Sequence, residues 1–380
     1  MKFSTTTLLL AGGACAAPAT ENDSSPAAGA VFAMTNVAAS NSILSFTRSA
    51  SGLLTPAGTY PTGGRGQGVD FDTQGGLQLG PDNKYLYAVN PADDLVSVFA
   101  VRGANLTLVQ TVYAGDQPLS IAVSGTGYAY VLDGSVASTG LFGFRVSARD
   151  GTLEPLTNRT IPLSSPIGVP GGVAFAPDGR ALVVTNKVGS TLDVFAVDAE
   201  GRASASPVTT MASSGERPFA AAFFGSFLYV VESGLPSLSN AALSTYRLNG
   251  GGGDTPSLTA LTRAARNDQT DGCWVAVTPD GRWAYTANFV SGSISSYALA
   301  GNGTASLTNG TAALPGGKGS QPVDLALGGD GRYLYNLLRG SGAVAGYEIQ
   351  QDGSLKQVGG LFGKGKGLPA MDGASGLAGY

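Results

Sequence analysis

Histidine does not occur anywhere in the 380 residues. Without an imidazole there is no Ser-His-Asp or Cys-His nucleophile relay, no His-ligated zinc and no haem with an axial histidine. Charge is also scarce. The chain has 22 Lys+Arg against 26 Asp+Glu, a net −4, and only 13% charged residues, about half the usual ~25%. Basic residues this dilute do not build a surface for nucleic acid. No apolar run reaches the ~18 residues of a membrane helix, so no membrane partner is expected. The phosphate-loop patterns GxxxxGK[ST] and GxGxxG and the nucleophile elbow GxSxG are missing. Acids are not clustered apart from Asp93-Asp94. No metal and no cofactor are therefore expected.

Only two cysteines occur, Cys15 and Cys273. Met1-Lys2, the apolar stretch ending Leu8-Leu9-Leu10 and the small residues Ala14-Cys15-Ala16 read as a secretory leader over residues 1–17. Its removal leaves Cys273 alone, with no internal disulfide. Residues 18–30, rich in Pro, Ala and Ser, read as a linker, and residues 31–380 as one domain. Five N-x-[ST] sequons, at Asn22, Asn105, Asn158, Asn302 and Asn309, are candidate glycosylation sites of a secreted or wall-associated protein.

What the chain has in abundance is glycine, 57 residues, and a 43% apolar fraction that supports a real core. It also has a repeat. GVAFAPDGRALVVTNKVGSTLDVFAV (172–197) recurs as WVAVTPDGRWAYTANFVSGSISSYAL (274–299), and less perfectly from Leu77 and Leu325. A late aromatic marks each unit: Phe46, Phe99, Phe144, Phe195, Tyr246, Tyr297 and Tyr347, at spacings of 53, 45, 51, 51, 51 and 50. Seven units of four short alternating strands predict an all-β, seven-bladed β-propeller. A β-solenoid is the rival, with repeats that are usually shorter. The first unit opens at Val31 on what reads as a second strand, and Ser375–Tyr380 (SGLAGY) reads as an inner strand. The C-terminus is therefore expected to close blade one, leaving no open sheet edge at that point. A closed ring of this kind needs no partner, so a monomer is expected.

In such a ring, second strands and outer-to-inner connections meet on one face. The Pro-Asp-Gly turns with Asp178 and Asp280 fall on the other and are structural. Second strands end at Asn36, Asn90, Asp133, Asn186, Glu232, Asn288 and Leu338. Asn and Asp there can simply start a turn, whereas Glu is a poor turn former, which makes Glu232 the best candidate for a functional carboxylate. The connections add Arg65 in TGGRGQG, Gln74, Gln117, Arg217, Cys273-Trp274 and Asp324. Arg65 suits an anion bidentately. The candidate catalytic set is Glu232, Arg65 and Lys187. The candidate substrate-binding set is Asn90, Asp133, Asn186, Arg217, Cys273, Trp274 and Asn288. Cys273 also reads as a small buried hydrophobe and Trp274 as inner-strand packing.

The units PDGRWAYTAN (279–288), PDGRALVVTN (177–186), GDGRYLY (329–335) and FLYVVE (227–232) resemble the seven-bladed lactonase family. That family includes bacterial 6-phosphogluconolactonases and fungal 3-carboxy-cis,cis-muconate cyclases. The likeness runs from about Val31 to Tyr380. It implies cofactor-free chemistry on the top face, with Glu232 matching the family glutamate. The family arginine position holds Phe289 after Asn288, and the family histidine has no counterpart. The expected activity is opening or forming the lactone of a small organic acid or metabolite. Glu232 would be the acid–base, with Lys187 or Arg65 on the oxyanion. Two alternatives stay open. One is a non-catalytic secreted or cell-wall glycoprotein, an antigen, an adhesin or a binder of surface glycans. The other is a cyclase or isomerase of a secreted metabolite, with Trp274 and Phe289 lining its pocket.

Overall fold

A computed structural model describes residues 27–156, 160–250, 254–317 and 319–380. Asn22, Asn158, the leader and residues 18–26 lie outside them.

Seven antiparallel sheets are arranged as a propeller, each running from an inner strand at the axis to an outer strand. Blades two to seven begin with the inner strands Leu77–Leu79, Pro118–Val123, Pro170–Phe175, Pro218–Phe224, Gly272–Val277 and Pro322–Leu327. Six blades have four strands. Blade three carries a broken outer strand, Leu153–Pro155 and Ile161–Pro162, both paired with Gly140–Val146. Blade one is built from both ends of the chain: Leu377–Gly379 is its inner strand, paired with Ala27–Met34. That second strand begins at Ala27, four residues inside the segment read as linker, and Ala30 is fully buried. The linker reading fails over 27–30 because those residues find ladder partners in Ser42–Ser49.

The repeated aromatic-x-Tyr motif of the second strand holds neighbouring blades together. Tyr87, Tyr130, Tyr285 and Tyr335 donate their hydroxyls to the carbonyls of Gly151, Gly201, Gly353 and Gly52, each in the third-to-outer turn of the next blade. The aromatic two residues earlier lies flat on the same glycine. At Gly353 (φ +79°) a Cβ would stand 2.4 Å from the Trp283 ring. At Gly103 (φ +59°) it would meet nothing within 4 Å. Gly353→Ala is thus expected to cost roughly 2–4 kcal/mol, from left-handed strain plus overpacking, and Gly103→Ala only ~1 kcal/mol of strain. Urea unfolding of the two variants checks this. Equal losses would show that the ring contact contributes nothing.

Candidate functional site

The top face, where the second-to-third turns and the outer-to-inner connectors lie, does not present the strand-end residues to a ligand. Asn36, Asn90, Asp133, Asn186, Glu232, Asn288 and Leu338 are all fully buried. Each anchors the connector arriving from the preceding blade. Gly64, Gly115, Gly168 and Gly215 press against the side chains of Asn90, Asp133, Asn186 and Glu232, and Gly316 against Leu338. Asn90 accepts from Thr62 Oγ1 at 2.6 Å and donates to Ser97 Oγ at 2.8 Å. Asp133 accepts from the Asp116 N–H at 3.0 Å and Ser138 Oγ at 2.8 Å. Asn186 donates to Thr191, and Asn288 bonds Asn267 and Ser295. These side chains, expected to touch substrate, instead face into the blade, where neighbouring hydroxyls, amides and backbone N–H groups take up most of their hydrogen-bonding capacity.

Glu232 occupies the same register. Its Oε1 accepts from Ser213 Oγ at 2.8 Å and the Gly215 N–H at 3.2 Å. Burial pushes its carboxyl up to about 7, against the opposing pull of the Ser213 and Ser244 hydroxyls and the Gly215 amide. The shift is large, but the group is sealed beneath Gly215 and reaches no solvent. Arg65 is also displaced from its expected role. Its exposed guanidinium pairs with Asp93 at 2.7 Å, over the blade-two turn.

The residues that do converge lie at the mouth of the axis, around the connector that also carries Arg65 and Gln74. The stretch 62–76, from blade one to blade two, carries six glycines and folds across the ring. Gln74 donates its N–H to Gly171 O (3.0 Å), and its side-chain Oε1 accepts the Val275 N–H (2.9 Å). Thr73 Oγ1 donates to Leu119 O, and Gly75 O accepts the Ile121 N–H. One short segment is thereby tied to blades three, four and six. Gly75, at φ +88°, has Ser120 Oγ where a Cβ would stand, 2.9 Å away. Below this plug a cavity of about 240 Å³ is lined by Gln74, Gln78 and inner-strand residues of blades three to five.

Asp72, at φ +56°, stands on the plug. Its Oδ2 accepts from Lys187 Nζ at 2.6 Å and from Arg217 Nη2 at 3.2 Å. The Lys187 side chain is 1% exposed and that of Asp72 is 45% exposed. Lys187 Nζ also lies 4.7 Å above the Phe219 ring, a cation–π contact. Burial lowers the Lys187 pKa and Asp72 works against it. The Asp72 N–H is held by Asp70 Oδ1 at 2.9 Å, and burial raises the Asp70 pKa. Arg339 lies over the Phe289 ring at 5.7 Å. Trp274 is buried between Phe219 (5.1 Å) and Phe289 (6.4 Å). Cys273 is buried with Sγ 3.2 Å from Asp271 Oδ1, and burial pushes its thiol well up. The packing readings of Cys273 and Trp274 fit this placement; neither side chain reaches solvent as a binding group would.

Lys187 and Arg217 are thus the predicted residues that the structure brings together. Asp70, Asp72 and Arg339 were missed. The signal that could have found them is the Val69-Asp70-Phe71-Asp72 alternation inside the longest glycine-rich connector. Two cations meeting on one carboxylate oxygen, one of them nearly desolvated, can hold an anion or a developing oxyanion. Among the described residues no group of three or more Cys, Asp or Glu is placed to hold a metal. The sequons Asn105, Asn302 and Asn309 are all exposed, on outer strands or bottom-face turns.

A family model described as "Lactonase, 7-bladed beta-propeller" matches residues 37–171 and 222–324. Solved structures share the fold over nearly the whole chain. A Bacteroides uniformis protein carrying the name of a 6-phosphogluconolactonase is 18% identical, with a TM-score of 0.69 over 93% of this chain and 99% of its own. The periplasmic gluconolactonase of Pseudomonas aeruginosa is 17% identical, with a TM-score of 0.67 over 92% and 98%. A Lactobacillus plantarum protein is 16% identical, with a TM-score of 0.70 over 93% and 99%. Identities this low speak for the fold alone. No curated protein matches the sequence.

Proposed function

The chain belongs to the seven-bladed β-propeller lactonase family, and from that premise we propose that it hydrolyses the lactone of a small organic acid at the axial mouth. The observation that carries this reading is the convergence of Lys187 and Arg217 on Asp72 Oδ2. The lactone carbonyl oxygen docks next to Asp72 Oδ2, within reach of the same two cations. Water attacks the carbonyl carbon and gives its proton to the partly exposed Asp72 carboxylate, the acid in contact with both cations. Negative charge gathers on the carbonyl oxygen beside the Lys187 and Arg217 cations, which their bonds to Asp72 Oδ2 hold in place. Collapse breaks the ring C–O bond. Lys187, whose burial favours loss of a proton, protonates the leaving alkoxide and is recharged by Asp72. One water is consumed and one hydroxy acid is made.

Lys187→Met is expected to lower kcat/KM roughly 10²–10³-fold, the usual loss on removing one oxyanion donor. Arg65→Ala and Glu232→Gln should keep rates within a few-fold. A pH-stat assay over a panel of γ- and δ-lactones checks this. A wild-type protein that turns over none of them, or a Glu232→Gln variant as inactive as Lys187→Met, sinks the assignment.

A further inference from the structure

Beside the Asp72–Lys187 pair, a slot of about 190 Å³ opens between the top loops of blades three and four. Phe71, Leu119, Val136, Ile167, Val169 and Pro170 line it. Among the described residues lining it, only Asp72 and Lys187 are charged. We propose that this slot holds an aliphatic chain of the substrate, so that the lactone is alkyl- or acyl-substituted and not a polyhydroxylated sugar lactone. The inference rests on the lactonase reading for the word lactone; the slot itself does not.

Three observations carry it. First, Val136, Ile167 and Val169 are 86%, 67% and 48% exposed, and all three border one concavity. Single exposed apolar residues are ordinary, but several around a cleft mark a ligand site. Second, a sugar would bring hydroxyls that need partners once out of water. The one lining side-chain hydroxyl, Thr139 Oγ1, already donates to the Ser135 carbonyl, and apart from Asp72, Lys187 and Gly134 the rest of the wall is aliphatic, aromatic or proline. Third, the charges are complementary. The buried Lys187 ammonium marks where the carbonyl or carboxylate of an amphiphile belongs, with the apolar wall beside it. At the ~30 Å³ that a water occupies in the liquid, the slot has room for about six heavy atoms.

The test is calorimetric titration of the full chain with straight-chain carboxylates from propanoate to decanoate, alongside turnover of γ-lactones from γ-butyrolactone to γ-decalactone. Affinity is expected to rise roughly fourfold per methylene, the value of burying one CH₂, and to level off after about six carbons. Ile167→Asp, an exposed change that leaves the core intact, should collapse the octanoate-to-propanoate ratio towards one. Val290→Asp, an equally exposed apolar residue on blade six (60%), should leave that ratio unchanged. Chain-length dependence without lactone turnover supports the slot and removes the lactonase reading alone. A flat series, no binding, or a ratio that Ile167→Asp does not alter overturns the slot, even if γ-butyrolactone or glucono-δ-lactone is hydrolysed.

Discussion

Between pH 8 and pH 5 the folded protein is expected to gain on the order of 3–5 kcal/mol of stability. Two sealed carboxyls drive this. Burial pushes Glu232 from 4.5 up to about 7, and Asp324 from 3.8 up to about 7. Asp324 is held by the Gly376 N–H at 2.8 Å, and Asp70 adds a like charge. In the unfolded chain both acids ionise near pH 4, whereas in the ring they keep their protons to about pH 7. The folded state therefore binds more protons across that window, and stability falls as pH rises through it. Above about pH 7 both states are ionised and the curve flattens. Below about pH 4 the sign reverses, because Asp116 and Glu348, whose pKa values are lowered by hydrogen bonds from Tyr113 and Arg332, lose those partners' help on protonation. Chemical denaturation at pH 5, 6, 7 and 8 measures the slope, with Glu232→Gln and Asp324→Asn each removing about half of it. A profile that rises from pH 5 to pH 8 would contradict the account. Because Glu232 is placed here as a stability group, its variant should flatten this curve and leave turnover alone.

Ending the chain after Ala374 should abolish cooperative folding. Blade one would lose the pairs Val31↔Gly379, Phe32↔Ala378 and Ala33↔Leu377. It would also lose the bond from the Met34 N–H to Gly376 O (2.9 Å) and the exchange between Ala30 and Tyr380. The buried Arg48 would lose the Tyr380 carbonyl that its Nε holds at 3.1 Å. Asp324 would lose its donor while staying buried. The burial of Leu377 and Ala378 goes as well. Together these amount to on the order of 5–10 kcal/mol, comparable with the whole stability of an ordinary domain. The exposed Ala30–Met34 edge is apolar and unpaired, and such edges aggregate. Size-exclusion chromatography and thermal melting of the truncated chain test this. A monomer that melts cooperatively within a few degrees of the full chain would refute the closure argument.

The parts of this architecture that were legible in the sequence are those set by local chemistry. Alternation in segments such as YLYAVN and WAYTAN makes strands, Pro-Asp-Gly makes the turns, and seven aromatics at about 50-residue spacing count the blades. Closure through SGLAGY was readable because a missing first strand and a spare last one complete each other. The aromatic-x-Tyr motif gains its meaning only in the ring, where each tyrosine reaches a glycine carbonyl of the next blade.

The site was decided by tertiary structure. Strand-end position correctly gave the face on which Asn90, Asp133, Asn186, Glu232 and Asn288 lie. It could not say which way each side chain turns, and packing against the incoming connector turns them into the blade. Asp72 meets Lys187 and Arg217 across 115 and 145 residues, because a flexible, glycine-rich connector folds over the axis and is pinned by backbone bonds to three other blades. Periodicity reports what repeats within a blade. A segment that occurs once, and is positioned by groups far away in sequence, leaves no period to read. In this protein the fold is written in the repeat, and the charge cluster at the axial mouth comes from the one connector that departs from it.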